Sequence, residues 1–266
     1  MKDIDVFYAP ADEKPLDNMV SDGGFCGIFR TIACIGDSLS SGEFESRKAD
    51  GTKGYHDCFD YSWGQYMARM AGCKVYNFSR GGMTAEEYVE NFADNNNLWS
   101  TDKLAQAYII ALGVNDIFGR HSELGSVSDI DTENYENNAK TFAGYYGKII
   151  SKYKKIQPRA KFFLVAPPRC DDPERNLDGD KICALLYKIA GLFDNVYVID
   201  LCKFGPVYDE DFEKKYYLGG HMNPMGYLLT ARIMCSYIDY IIRHNMEDFR
   251  KVGFIGTSYD CEETEI

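Results

Sequence analysis

The stretch Thr31-Ile32-Ala33-Cys34-Ile35-Gly36-Asp37-Ser38-Leu39 decides how the rest of the chain is read. Its first five residues are a short run of small and β-branched apolar side chains, the pattern of a strand buried on both faces. Gly36 ends the run, and a hydroxyl comes two residues later. In an open parallel sheet, Ser38 would stand at the strand's carboxyl end, where such sheets place their ligand sites. Gly-Asp-Ser-Leu is also ordinary turn chemistry, so the reading depends on the pattern recurring downstream.

It recurs four times. Further apolar strands are predicted at Lys74–Phe78, Ala107–Leu112, Phe162–Ala166 and Val196–Leu201. Between them, helices are predicted from the Ser62 cap to Met70, from Glu86 to Phe92, from Thr132 to Ile156 and from Asp180 to Ala190. The last helix, Pro224 to Arg243, has Asn223 as its cap and proline at its first position. Arg232, Ser236, Asp239 and Arg243 draw one polar stripe along it. Strands alternating with helices predict an α/β fold, a five-stranded parallel sheet covered on both faces. Residues 42–60 are polar and dotted with glycine and read as a long loop near the site. With no repeat and no linker-like stretch, one domain over 1–266 is expected. Residues 1–30 read as an irregular arm and 253–266 as a loosely ordered acidic tail.

The 266 residues carry 41 acidic against 29 basic side chains, a net charge of −12. That balance argues against nucleic acid or an anionic membrane as partner, since both need basic surface. No segment reaches about 18 uninterrupted apolar residues. Met1-Lys2-Asp3-Ile4-Asp5 lacks the basic-then-apolar pattern of a secretion signal, so a cytoplasmic location is expected. Nine cysteines without a Cys-x-x-Cys pair read as reduced thiols, not as a disulfide framework or a zinc knuckle. His56, His121, His221 and His244 show no ligand spacing. The run Glu174-Arg175-Asn176-Leu177-Asp178-Gly179 opens like a calcium loop, but Leu185 stands where the closing glutamate belongs. Asn77-Phe78-Ser79 fits a glycosylation triplet and is read as structural. Gly-x-Ser-x-Gly, Gly-x-Gly-x-x-Gly and phosphate-loop motifs are absent from the sequence.

The turns after the strands carry the chemistry. Ser38 comes after the first strand, Gly82 after the second, Asn115 after the third, and His221 after the fifth, just ahead of the last helix. In a parallel sheet these turns share one edge. The residue types are those of acyl transfer: a hydroxyl nucleophile, an imidazole base to take its proton, and amide donors for an oxyanion. The backbone N–H groups of Ser38 and Gly82 and the side-chain amide of Asn115 are the candidate donors. Singly, His221 reads as a helix-entry residue, Asn115-Asp116 as a turn and Gly81-Gly82 as a loop. Asp37 and Asp116 are assigned to local turn hydrogen bonds.

Four ordered blocks resemble the GDSL, or SGNH, hydrolase family. They are Ile35-Gly36-Asp37-Ser38-Leu39-Ser40, then Asn77-Phe78-Ser79-Arg80-Gly81-Gly82-Met83-Thr84, then Gly113-Val114-Asn115-Asp116, and finally His221-Met222-Asn223-Pro224-Met225-Gly226-Tyr227. The resemblance spans about 31–243. It implies a flavodoxin-like three-layer sandwich with strand order 2-1-3-4-5. It also implies ester hydrolysis through an acyl-serine, without metal or cofactor. One position departs. The family's acid, three residues before the histidine, is Leu218 here. Three arrangements are open: a Ser38–His221 dyad oriented by a backbone carbonyl, which is preferred, an acid folding back from Asp209-Glu210-Asp211, or an inactive site. The expected partner is a small acyl ester, with a carbohydrate O-acetyl ester preferred because Tyr55, Tyr61, Tyr216 and Tyr217 flank the site segments. Arg80 and Arg169 come after the second and fourth strands and read equally as anion contacts or as surface charges. The rivals are a non-catalytic binding module on a degenerate hydrolase and an O-acyltransferase. Oligomeric state is not read from the sequence.

Overall fold

The computed structural model describes residues 9–260. Five parallel strands form the central sheet: β1 (Thr31–Gly36), β4 (Lys74–Ser79), β5 (Ala107–Ala111), β6 (Lys161–Ala166) and β7 (Val196–Asp200). Their spatial order is β4-β1-β5-β6-β7, which is 2-1-3-4-5 among these five. Register is continuous across the sheet, with Cys34 beside Asn77 and Ile109, and Leu164 beside Ile110 and Val198.

Side chains alternate across each strand, so an unbroken apolar run feeds two cores. Ala33 and Ile35, with Tyr108, Ile110, Phe162 and Leu164, pack beneath α3 (Phe142–Ile156) and α4 (Pro173–Ala190). Ile32 and Cys34, with Ile109, Phe163 and Val165, pack beneath α2 (Trp63–Ala71) and α6 (Pro224–Arg243). This is the expected α/β/α sandwich.

Three boundaries depart from expectation. The stretch 42–60 is not an open loop. It holds an antiparallel hairpin, β2 (Glu43–Arg47) and β3 (Lys53–Asp57). The helix predicted from Thr132 begins only at Phe142, capped by Thr141. Ahead of it, Asp131 Oδ1 accepts from the backbone of Glu133 and Asn134, and Asn138 Oδ1 accepts from the backbone of Asp131. These local bonds satisfy donors that a helix would otherwise use. The helix predicted from Asp180 begins at Pro173, where Asp172 accepts from the Glu174 and Arg175 amides. The calcium-like run 174–185 lies inside that helix, so its oxygens do not converge as a loop's would.

The polar stripe of α6 faces the N-terminal arm. Ser236 Oγ accepts from Val20 N, Asp239 Oδ1 accepts from Phe25 N, and Arg243 forks onto Glu13 at 2.6 and 2.8 Å. Tail residues 253–255 are also held, Arg30 and Gln106 donating to the Gly253 and Ile255 carbonyls. Residues 261–266, the rest of the expected tail, lie outside the described residues, as does Cys261. The eight described cysteines are all free thiols.

Candidate active site

Ser38 opens a single helical turn, α1 (Ser38–Ser41). Asp37 caps it, its Oδ1 accepting from Leu39 N at 3.1 Å, and Gly42 closes it at φ +81°. The turn is braced from the hairpin, Ser41 Oγ donating to Asp57 Oδ1 at 2.6 Å. Ser38 is half-buried at the carboxyl end of β1.

Gly82 sits in the turn after β4 at φ +70°, a conformation a side chain resists, and the space where its Cβ would point is empty. Asn115 lies in a π-helical turn, Val114–Gly119, after β5. Its Nδ2 donates to Met83 O at 3.1 Å and to Asp37 Oδ2 at 3.3 Å. One amide therefore ties the turns after three strands together. Asp116 is not purely local, since its Oδ1 accepts from Ala85 N at 2.9 Å across the neighbouring turn, while Oδ2 is buried without a partner. Burial pushes both Asp37 and Asp116 up to about 6.

His221 lies on a two-residue ribbon, β8 (Tyr217–Leu218) and β9 (His221–Met222), that turns through Gly219 and Gly220. The ribbon leans on the β2–β3 hairpin. Glu45 Oε2 accepts from Gly220 N at 2.9 Å, and a Cβ on Gly219 would run into the same carboxylate. Glu43 Oε1 lies 3.0 Å from His221 Nε2. Tyr55 meets the imidazole edge-on at 5.7 Å. His221 Nδ1 is buried and has no hydrogen-bond partner, and the Ser38 hydroxyl makes no bond to the ring among the described residues.

The carboxylate that meets the imidazole comes from neither expected place. Leu218 is 50% exposed. Asp209 caps α5 (Glu210–Tyr216) through Phe212 N, and Glu210 and Asp211 pair with Lys214 at the surface. None of the three faces His221, so the expectation of an acid folding back from 209–211 is corrected to Glu43. The backbone carbonyl expected to orient a dyad is not there either, since Nδ1 has no partner and Nε2 meets a side chain. Glu43 lies in a polar, glycine-dotted stretch whose pattern predicts a loop, so nothing in the sequence singles it out. Arg80 pairs with Glu87 and Arg169 with Asp180, both partly exposed, which matches the surface-charge alternative.

Two connected hollows open at the carboxyl ends of β1, β5 and β6. One, of about 80 Å³, is lined by Leu39, Trp63, Leu112, Val165, Met222 and Met234. The other, of about 140 Å³, shares Pro168 and Tyr208 with it and adds Phe118, Arg175 and Tyr217. Cys183, Asp200 and Cys202 bring ligand-type atoms within 4.8 Å of one another behind this wall, where Cys202 Sγ donates to Pro167 O at 2.9 Å. Their residue types suit a thiophilic cation. Among the described residues no helix is long and apolar enough to cross a membrane.

A flavodoxin-like sheet with serine, glycine, asparagine and histidine segments on one edge defines the GDSL class of hydrolase fold. The family profile described as GDSL-like Lipase/Acylhydrolase matches residues 34–229, and the chain belongs to that family. No curated protein sequence matches it. Among solved structures, the chain is similar to a family two carbohydrate esterase from Clostridium thermocellum in complex with cellohexaose, at TM-score 0.54 and 17% identity over 90% of this chain and 67% of that one. A carbohydrate esterase family 2 enzyme of Corynascus thermopiles (Myceliophthora fergusii), which carries a carbohydrate binding domain, gives 0.53 and 18% over 79% and 65%. Est24, a carbohydrate acetylesterase from Sinorhizobium meliloti, gives 0.50 and 18% over 83% and 99%. The chain spans about two thirds of the first two. At these identities the likeness is one of fold.

Proposed function

We propose that the protein is a serine esterase that hydrolyses a small acyl ester, with a carbohydrate O-acetyl ester as the substrate class. Ser38 is the nucleophile and His221 its base. The Ser38 and Gly82 amides, with Asn115 Nδ2, receive the oxyanion. The observation that carries this reading is the Asn115 amide bound to both Asp37 and Met83. It joins the serine turn, the glycine turn and its own turn into one donor array. The longer of its two bonds, 3.3 Å to Asp37, is the one a developing oxyanion would displace. Exposed Tyr55 beside His221 offers a face for a sugar ring. Family membership supports an esterase, and the similar solved structures are named as carbohydrate esterases.

Intact-mass labelling with a fluorophosphonate tests the reading. One adduct is expected on the wild type and none on Ser38→Ala or His221→Ala. Esterase activity is expected to fall by roughly 10⁴-fold or more in either variant. No adduct on the wild type at neutral or mildly alkaline pH would sink the catalytic reading and leave the binding module. Release of long acyl chains without release of acetate from any acetylated sugar would overturn the substrate class.

A further inference from the structure

We infer that Cys183, Asp200 and Cys202 form a buried binding site for one thiophilic divalent cation of the zinc class, outside the serine, glycine, asparagine and histidine turns and structural in its effect. One ligand-type atom from each side chain lies within 4.8 Å of the other two. None of the three residues is more than 8% exposed. Among the described residues no other group of three His, Cys, Asp or Glu side chains gathers so closely.

The fold assembles this group, not the spacing of its members. Cys183 lies on the buried face of α4, Asp200 ends β7, and Cys202 stands in the helical turn Leu201–Phe204 that follows. Their intervals match no zinc-finger pattern, which is why the two cysteines read as core thiols in the sequence.

The donor set defines the ion. A tetrahedral zinc holds sulfur at about 2.3 Å and carboxylate oxygen at about 2.0 Å, which sets its ligand atoms roughly 3.5–3.8 Å apart. The three side chains therefore close onto it by movements of ~1 Å. Two sulfurs favour such an ion over calcium or magnesium, which take oxygen ligands. Binding releases the two thiol protons to solvent and changes no oxidation state. Cys202 Sγ donates to Pro167 O at 2.9 Å and to Gly179 O at 3.5 Å. A thiolate cannot make those bonds, and a cation in the proton's place relieves the contact while offering its fourth position to a carbonyl oxygen or a water.

The carboxylate is already oriented from outside. Lys203 N donates to Asp200 Oδ1 at 2.9 Å and Tyr187 Oη to Oδ2 at 3.2 Å. Ligating carboxylates carry hydrogen-bonded support of this kind. Tyr187 lies one turn beyond Cys183 on α4 and is 49% exposed, so it marks the route in from solvent. On the inner side, Ile182 and Leu201 are the sequence neighbours of the two cysteines, and with Pro167 they line the apolar hollow of about 80 Å³. The ion clamps α4, the end of β7 and the exit of β6 together behind that wall. Because the unfolded chain offers no preformed site, its binding free energy adds to the stability of the fold.

The test uses the full chain without an affinity tag, reduced, stripped with a chelator and dialysed against zinc or cadmium. One equivalent per chain is expected, with Tm raised by several degrees and, for cadmium, a thiolate-to-metal absorption band. Cys183→Ser and Cys202→Ser are close to isosteric. They should lose the ion, the band and the Tm shift while melting like the metal-free wild type. Cys58→Ser and Cys170→Ser, at partly exposed thiols, should keep all three. X-ray absorption at the zinc edge needs no variant and should show two sulfur neighbours at about 2.3 Å with oxygen completing the shell. A wild type that holds no metal after dialysis would overturn the inference, and so would a shell without two sulfurs. Equal loss of the ion in Cys58→Ser or Cys170→Ser would also overturn it, by placing the metal on surface thiols.

Discussion

Asp37 and Asp116 are both buried, and burial raises both carboxyls from near 4 to about 6. A carboxyl raised in the folded state holds a proton that the unfolded chain has already lost. Its contribution to stability is therefore complete below the unfolded value and disappears as pH climbs through 6. Between pH 5 and 7.5 each group is expected to remove about 1 kcal/mol from the unfolding free energy. Urea denaturation across that range checks it, and Asp116→Asn should flatten its share of the slope. A slope that is unchanged in the variant would show that the proton is held elsewhere. Leu218 makes the opposite kind of prediction. Because it is exposed and lies opposite His221 in the ribbon, Leu218→Asp should leave kcat/KM within about twofold, the small effect of an exposed charge. A gain of tenfold or more would mean that the family's acid position is functional here.

At the scale of elements, the hairpin is the part that holds the histidine. Glu45 anchors Gly220 and is joined by Lys53 at 3.1 Å and Arg47 at 3.4 Å. Glu45→Ala is expected to lower both Tm and kcat/KM, while Arg47→Ala, at a largely exposed side chain, should change neither. Melting curves and ester kinetics on the two variants separate the anchor from its counter-ions. The hairpin is also where reading the sequence stopped short. Strand β1 was legible because both of its faces are apolar, and α6 because Asn223 and Pro224 mark its start. Strand β2 instead turns a glutamate inward, with Glu45 among the buried residues, so no alternation of apolar side chains announces it. The start of α3 was hidden because Asx side chains at 131 and 138 bind the backbone locally, a competition that hydrophobic periodicity does not report. Ser38, Gly82 and Asn115 were legible because topology brings their strand ends to one edge, whereas His221 reaches the site on the β8–β9 ribbon, well beyond the end of β7. Glu43 was not legible, since a carboxylate five residues after the serine acquires meaning only once the hairpin folds back toward position 221.

Across the whole molecule, the two cores share one sheet, and a buried ionic network fastens the N-terminal arm over the second. Arg243 is raised and Glu13 lowered chiefly by the hydrogen bonds they share, with Asp239 at 2.7 Å as the third member. Removing one partner from such a network leaves an uncompensated charge, so Arg243→Ala is expected to cost about 3–5 kcal/mol in chemical denaturation. A loss below 1 kcal/mol would show the arm to be dispensable. The Glu13 contribution is held above the usual carboxylate range of pH and is lost only as pH falls through its lowered folded value.

That network joins residues 230 positions apart, and synthesis runs in one direction. Domains generally fold as units once enough of the chain has emerged from the ribosome. The arm is made early and meets α2 through Gly23 N and Met70 O, but every partner it meets on α6 is translated near the end. Until then Val20, Phe25 and the buried side of Cys26 have no helix to bind, and the face of the sheet that α6 will cover stays open. Nascent chains arrested before α6 are therefore expected to remain sensitive to protease across residues 9–30, and limited proteolysis of ribosome-bound chains checks it.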